Sequence, residues 1–350
     1  MKAQLILENG MRFSGEMFGD IKNVVGEVVF ATGMTGYQEE LTDPAFAGQI
    51  VTMTFPLVGN YGINLEDNES KHTSLNALVV REKCNYPSNF RNEINIDDFL
   101  KSEGVVGLEG IDTRALTRAL RDAGSMKGAI MQGEPTDDEA LAFINTLDNK
   151  NVMMSVTTKN TYVLNEKGTT HVAFIDLGTK ESILKRIVDC DCKVTVFPAN
   201  ATSADIEKVN PDIVFVSSGP GNPNDAPGTV DTIKALLGKY PIRGICMGHL
   251  VIGLALGCKI QKMKFGHHGG NQPVKDTKTG KVYITAQTHN YVLCDYPQGV
   301  EEIFVNVNDG TCEGIMHKEY SVQSVQFHPE ASPGPHDTLM IFDTFLKEVK

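Results

Sequence analysis

The chain has 350 residues, too many for one ordinary domain; at roughly 150 residues each, about two are expected. Hydrophobic residues at 41% and charged residues at 22% lie in the globular range and exclude wholesale disorder. With 32 basic against 44 acidic side chains the formal net charge is −12, which repels phosphate backbones and argues against a nucleic-acid partner. The N-terminal segment offers only Leu5, Ile6 and Leu7 before Glu8, far short of a signal core. The most apolar window, 242–260, is broken by Arg243, His249 and several glycines, so no membrane span is expected. Seven cysteines, an odd number scattered along the chain, argue against a disulfide framework and for a reducing, cytoplasmic setting.

In chain order, the first half reads as β-rich. Apolar or alternating runs at 4–7, 27–30, 49–54 and 77–80 are separated by glycine and asparagine. A helix is expected over 112–121, where Leu116 and Leu120 share a face and Gly124 supplies a stop. Residues 134–169 read as a helix plus a linker between a domain at 1–133 and another at 170–350. The second half changes character: short apolar runs at 171–177, 193–198 and 212–216 suit strands buried on both faces. Helical patterns lie between them, at 181–188 and at 203–209, the latter with Ser203 placed to cap it. Strand alternating with helix implies βαβ units and a mostly parallel sheet with helices on both faces. In such a sheet the ligand site lies beyond the carboxyl ends of the strands.

Three loops fall at those ends. Ser217-Ser218-Gly219-Pro220-Gly221-Asn222-Pro223 is a rigid turn that exposes backbone N–H groups suited to an oxyanion; alone, it is equally an ordinary turn. Gly244-Ile245-Cys246-Met247-Gly248, between a strand and a helical run, is a cysteine nucleophile elbow. Its thiol would stand at a helix N-terminus, which favours thiolate, and the Met247 N–H would face a tetrahedral oxyanion. A lone cysteine between Ile245 and Met247 would otherwise pass for core. In Phe327-His328-Pro329-Glu330 the residues at i and i+2 point the same way, so Glu330 can orient His328 toward the thiol.

These loops resemble those of the class I (triad) glutamine amidotransferases. The rest of the chain is similar to the small, glutamine-hydrolysing subunit of carbamoyl phosphate synthase. The likeness is carried by 26–30 (GEVVF), 34–39 (MTGYQE), 41–44 (LTDP), 111–114 (IDTR), 264–271 (KFGHHGGN) and 333–337 (PGPHD). It covers essentially the whole chain. The resemblance implies an α/β protein with two domains. The N-terminal one is a β-rich domain of the β/β/α swivelling type, and the C-terminal one is a flavodoxin-like amidotransferase domain. It implies glutamine hydrolysis through a γ-glutamyl thioester on Cys246, with His328 as base then acid and Glu330 orienting it. Gly219 and Met247 would form the oxyanion hole. Ala45, Gly221, Leu250, Thr288, Asn290 and Tyr291 fall at substrate-pocket positions. Ammonia would pass to a large subunit that holds ATP with Mg²⁺ and K⁺ and makes carbamoyl phosphate for arginine and pyrimidine synthesis. The chain itself would carry no cofactor or metal, and a higher hetero-oligomer is possible.

Four of the pocket positions depart from the family. Leu250 stands where a glutamine is usual and Ala45 where a serine is, while Thr288 and Asn290 interrupt the usual Ala-Gln-Asn-His-Gly loop. A buried hydrogen bond is worth roughly 0.5–1.5 kcal/mol net, so losing two or three would weaken glutamine binding by about one to three orders of magnitude unless Thr288 and Asn290 compensate. A second reading is therefore a weak or silent glutaminase acting as a structural or regulatory partner of an ammonia-using large subunit. A stand-alone glutamyl hydrolase would leave the N-terminal half without a purpose. Cys190 and Cys192 read as a surface segment and His267 and His268 as structural. His249 is a competitor for the base, directed away by the helix it starts.

Overall fold

The structure, a computed structural model, describes residues 1–347 and divides between Asn149 and Lys150 into two compact units. In the first unit, seven strands close into a barrel. Their order is Lys2–Leu7, Arg12–Gly19, Val106–Glu109, Ala77–Val79, Gln49–Met53, Val24–Ala31 and Met126–Gln132, and the last pairs back onto the first. Closure leaves no open sheet edge to aggregate. The four apolar runs of the sequence all lie in barrel strands. The other three strands, at Arg12–Gly19, Val106–Glu109 and Met126–Gln132, carry glycines and charges that mask their period. Helix Thr113–Ala123 starts at Asp112, whose carboxylate accepts from the Ala115 N–H, and buries Leu116 and Leu120.

The stretch 134–169 is shared between the units. Helix Asp137–Ile144 opens with a Thr136/Glu139 capping box and packs Ala140 and Ile144 on Ile6, Ala129 and Met131 of the barrel. Strand Tyr162–Leu164 instead pairs with Cys192–Pro198 in the second unit.

The second unit is built on a ten-stranded sheet. Cys192–Pro198, Thr170–Asp176, Ile213–Val216, Ile242–Ile245 and Val322–Val325 run parallel at its centre. They bury both faces, in clusters around Phe174, Phe215 and Phe345 on one side and Ile175, Val251 and Ile252 on the other. Beyond them Cys312–His317, Val300–Asn306, Lys259–Asp276 and Val282–Cys294 extend the sheet antiparallel. This extension was not legible in the sequence, because its strands carry exposed polar residues and a bulge between Lys262 and His267. The cap of helix Ser203–Glu207 is Thr202, not Ser203: the Thr202 side chain accepts from the Asp205 N–H, and Asp205 answers. Among the described residues no helix is long and apolar enough to cross a membrane.

Candidate active site

Strand Ile242–Ile245 is wholly buried and runs directly into Cys246, whose φ of 55° and ψ of −107° is a strained conformation for a residue with a side chain. Helix Met247–Leu256 begins at the next residue, so the Met247 N–H has no intrahelical acceptor. Two close approaches hold this turn. The Cys246 N–H donates to Val325 O at 2.9 Å and the Gly248 N–H to Ser217 O at 2.8 Å. A β-carbon at Gly248 would lie 2.1 Å from Val216 O, so the position two after the nucleophile admits glycine only. The thiol is 2% exposed and donates to Thr288 O at 3.4 Å.

His328 is placed by its own backbone, whose N–H donates to Ala286 O at 2.8 Å. Its Nδ1 lies 2.7 Å from Glu330 Oε1. Nε2 is buried with no other partner, and so is left for the thiol. Burial alone would strip the imidazole of its proton. The Glu330 carboxylate and the Cys246 sulfur outweigh that and push its pKa up to about 10. Burial opposes charge on Glu330 as well, but Lys180 and His328 hold its pKa down at about 2.

Lys180 belongs to this cluster, and the sequence did not single it out. It is 2% exposed, its Nζ sits 2.8 Å from Glu330 Oε1, and it also donates to the Ser332 carbonyl. One signal was available. Lys180 occupies the N-cap of helix Glu181–Asp189 without capping it, where a cation opposes the helix dipole. A lysine at that position needs an anion nearby.

The glycine loop 217–223 is equally constrained. A β-carbon at Gly219 would lie 2.3 Å from Leu177 O, which presses the loop against the end of strand Thr170–Asp176. The pocket positions divide. Thr288, Asn290 and Tyr291 lie on strand Val282–Cys294, and Asn290 Oδ1 is buried without a partner. Leu250 packs in a core with Cys258, Leu293, Cys312 and Ile315, and Tyr291 lies at its edge. Ala45 lies in the first unit, in the turn Pro44–Phe46, its N–H donating to Asp43 Oδ1 at 2.8 Å.

The competing candidates resolve. His249 is wholly buried, bonds Ser324 Oγ through Nδ1 at 2.9 Å, and is pushed by burial down to about 3, so it is a neutral packing group. The segment expected at the surface is only partly so: Asp191, at φ 61°, turns the chain between half-buried Cys190 and Cys192, which is buried at the start of strand Cys192–Pro198, and all seven cysteines are free. His267 and His268 sit within strand Lys259–Asp276 and are buried.

A cysteine on a strained strand-to-helix turn, an imidazole oriented by a carboxylate, and a glycine loop beside them can perform acyl transfer from a carboxamide. Known proteins agree. Residues 5–130 match the family described as carbamoyl-phosphate synthase small chain, CPSase domain, and residues 173–348 match glutamine amidotransferase class-I. The chain is 50% identical to the carbamoyl phosphate synthase small chain of Clostridium perfringens, over 99% of both chains. It is 48% identical to that of Caldanaerobacter subterraneus, over 99% of this chain and 96% of the relative. It is 43% identical to the pyrimidine-specific small chain of Bacillus subtilis, over 100% of this chain and 96% of the relative. A full-length likeness of this kind, on top of the elbow and its triad, places the chain in the carbamoyl phosphate synthase small-chain family, the glutamine-hydrolysing subunits of that enzyme.

Proposed function

We propose that the chain is a working glutaminase and that Cys246, His328 and Glu330 carry the reaction. His328 takes the proton of the Cys246 thiol as the sulfur attacks the glutamine carboxamide carbon. The oxyanion that forms is held by the N–H groups of Gly219 and Met247. His328 gives its proton to the departing nitrogen, leaving ammonia and a γ-glutamyl thioester on Cys246. It then takes a proton from water, which attacks the thioester and releases glutamate. Glu330, fixed by Lys180, keeps Nε2 aimed at the sulfur throughout.

Gly221, Thr288, Asn290 and Tyr291 border the substrate in this reading, and Leu250 stands where the family supplies a polar contact. The unpartnered Asn290 Oδ1 supports compensation, since a buried carbonyl oxygen without a donor can accept from the substrate's amino groups. Ammonia passes to a large subunit, which supplies the ATP, Mg²⁺ and K⁺ for carbamoyl phosphate synthesis, in the cytoplasm.

The buried chain Lys180–Glu330–His328 ending at Cys246 is the observation that carries this reading. In the assembled complex Cys246→Ser is expected to abolish glutamine-dependent synthesis and leave ammonia-dependent synthesis intact; loss of both refutes the division of labour. A wild-type glutamine KM between about 1 μM and 1 mM shows that the pocket is compensated. Absence of glutamine hydrolysis by the wild-type complex makes the chain a silent partner.

A further inference from the structure

A second buried polar cluster lies on strand Val282–Cys294 and its neighbours, and the reaction above leaves it unused. His267 is 6% exposed. Its Nδ1 lies 2.8 Å from Gln287 Oε1 and its Nε2 2.9 Å from Asp309 Oδ2. Glu313, wholly buried, sits 3.5 Å from Nδ1 and accepts from Asn306 Nδ2 at 3.1 Å. On its far side Gln287 Oε1 is 3.0 Å from His289 Nε2, and Gln287 Nε2 donates to Thr285 Oγ1 at 3.1 Å. His267 is thus gripped from both sides, Nε2 by Asp309 and Nδ1 by Gln287 and Glu313, with Asn306 Nδ2 also 3.4 Å from Nδ1. Burial opposes charge on the ring, but Glu313 and Asp309 raise the His267 pKa above its ordinary value.

A tight cluster of His267, His289 and Glu313 also suggests a cation. The Gln287 oxygen stands between the two histidines, however, at hydrogen-bonding rather than coordination distance. A metal would have to displace it.

What this clamp fixes is the strand itself. The two neighbours of Gln287 are the residues whose carbonyls hold the catalytic pair: Ala286 O accepts from the His328 N–H, and Thr288 O accepts from Cys246 Sγ. We propose that His267, locked between Asp309 and Glu313, is a positioning residue for glutamine hydrolysis. By gripping Gln287 it sets the strand segment that registers His328 against Cys246. The inference rests on the catalytic reading above and adds to it a residue that touches neither the substrate nor the nucleophile.

Asp309 lets this be tested with little risk to folding, because its side chain is 40% exposed. Asp309→Asn, Asp309→Glu and His267→Asn are compared with wild type in the assembled complex. The readouts are glutamine-dependent synthesis, ammonia-dependent synthesis, Cys246 alkylation by iodoacetamide, and bound metal. Displacing reacting groups by about 1 Å costs on the order of a hundredfold. His267→Asn is therefore expected to lower kcat for glutamine by ten- to a hundredfold and to slow alkylation, with ammonia-dependent synthesis unchanged. Asp309→Asn falls between it and wild type, and Asp309→Glu restores most of the rate. An active wild type with both His267→Asn and Asp309→Asn within twofold of it overturns the inference alone. So do equal losses with glutamine and ammonia, which mark general damage, or one equivalent of a metal whose removal abolishes activity. A wild type that hydrolyses no glutamine overturns the catalytic reading and this inference together.

Discussion

Lys180 and Glu330 form an ion pair in which both side chains are almost wholly buried, and such a pair is informative when one partner is removed. In Lys180→Met the carboxylate keeps His328 but loses its ammonium, at a cost of about 3 kcal/mol, the lower end for a broken buried pair. At 2–4 °C per kcal/mol for a unit of about 200 residues, the unfolding midpoint is expected to fall by roughly 6–12 °C, readable by calorimetry. The pH dependence has a defined sign. Glu330 is depressed from 4.5 to about 2, so its stabilisation is complete above pH 4.5 and is lost as pH falls toward 2. His328 is raised from 6.5 to about 10, so its contribution is complete below pH 6.5 and is lost as pH rises toward 10. The stability difference between wild type and His328→Asn should therefore be largest between about pH 4.5 and 6.5. Denaturation series that instead show it growing from pH 7 to 9 would contradict the ion-pair description. At this scale the triad was legible, because nucleophile, base and acid must be particular residue types. Lys180 was not, because a lysine reads as surface until a buried anion is known to face it.

At the elbow strand Ile242–Ile245 and helix Met247–Leu256 meet with no spare space, and the Gly219 loop is held equally closely against Leu177 O. Gly219→Ala must push the loop away by its own β-carbon, 2.3 Å from that oxygen. Losing one oxyanion donor costs a hundred- to a thousandfold in kcat, so that range is expected for glutamine, with ammonia-dependent synthesis retained. A less than threefold change would remove Gly219 from the oxyanion hole. The central parallel strands could be read from composition, since burial on both faces leaves short continuous apolar runs such as 171–177 and 212–216. Strand Val282–Cys294 could not. Its alternation mixes Gln287 and His289, which are buried by hydrogen bonding, with Ala286 and Leu293, which are buried by packing.

Across the whole chain, seven free thiols compete for any electrophile, yet they are not chemically alike. Burial pushes the Cys192 thiol up to about 12 and Cys258 up to about 11. A chloroketone analogue of glutamine is therefore expected to modify Cys246 alone at pH 7, by peptide mass mapping, because in the proposed reaction that sulfur is the one His328 activates and glutamine reaches. Comparable labelling of the half-exposed Cys84 or Cys294 would show that recognition adds nothing to intrinsic reactivity. The sequence by itself determined the number of units, the parallel core and the residue types of the candidate triad. Each of these follows from local rules: how many residues one core can hold, how a doubly buried strand is composed, and how sharply a chain must turn to lift a nucleophile. Only the tertiary structure decided that the first unit's strands close into a barrel, that Leu250 belongs to a core, and that Lys180 pairs with Glu330 and His267 with Gln287. Those depend on pairings between residues far apart in the chain, such as Lys180 with Glu330 and Ala286 with His328, which no local pattern encodes.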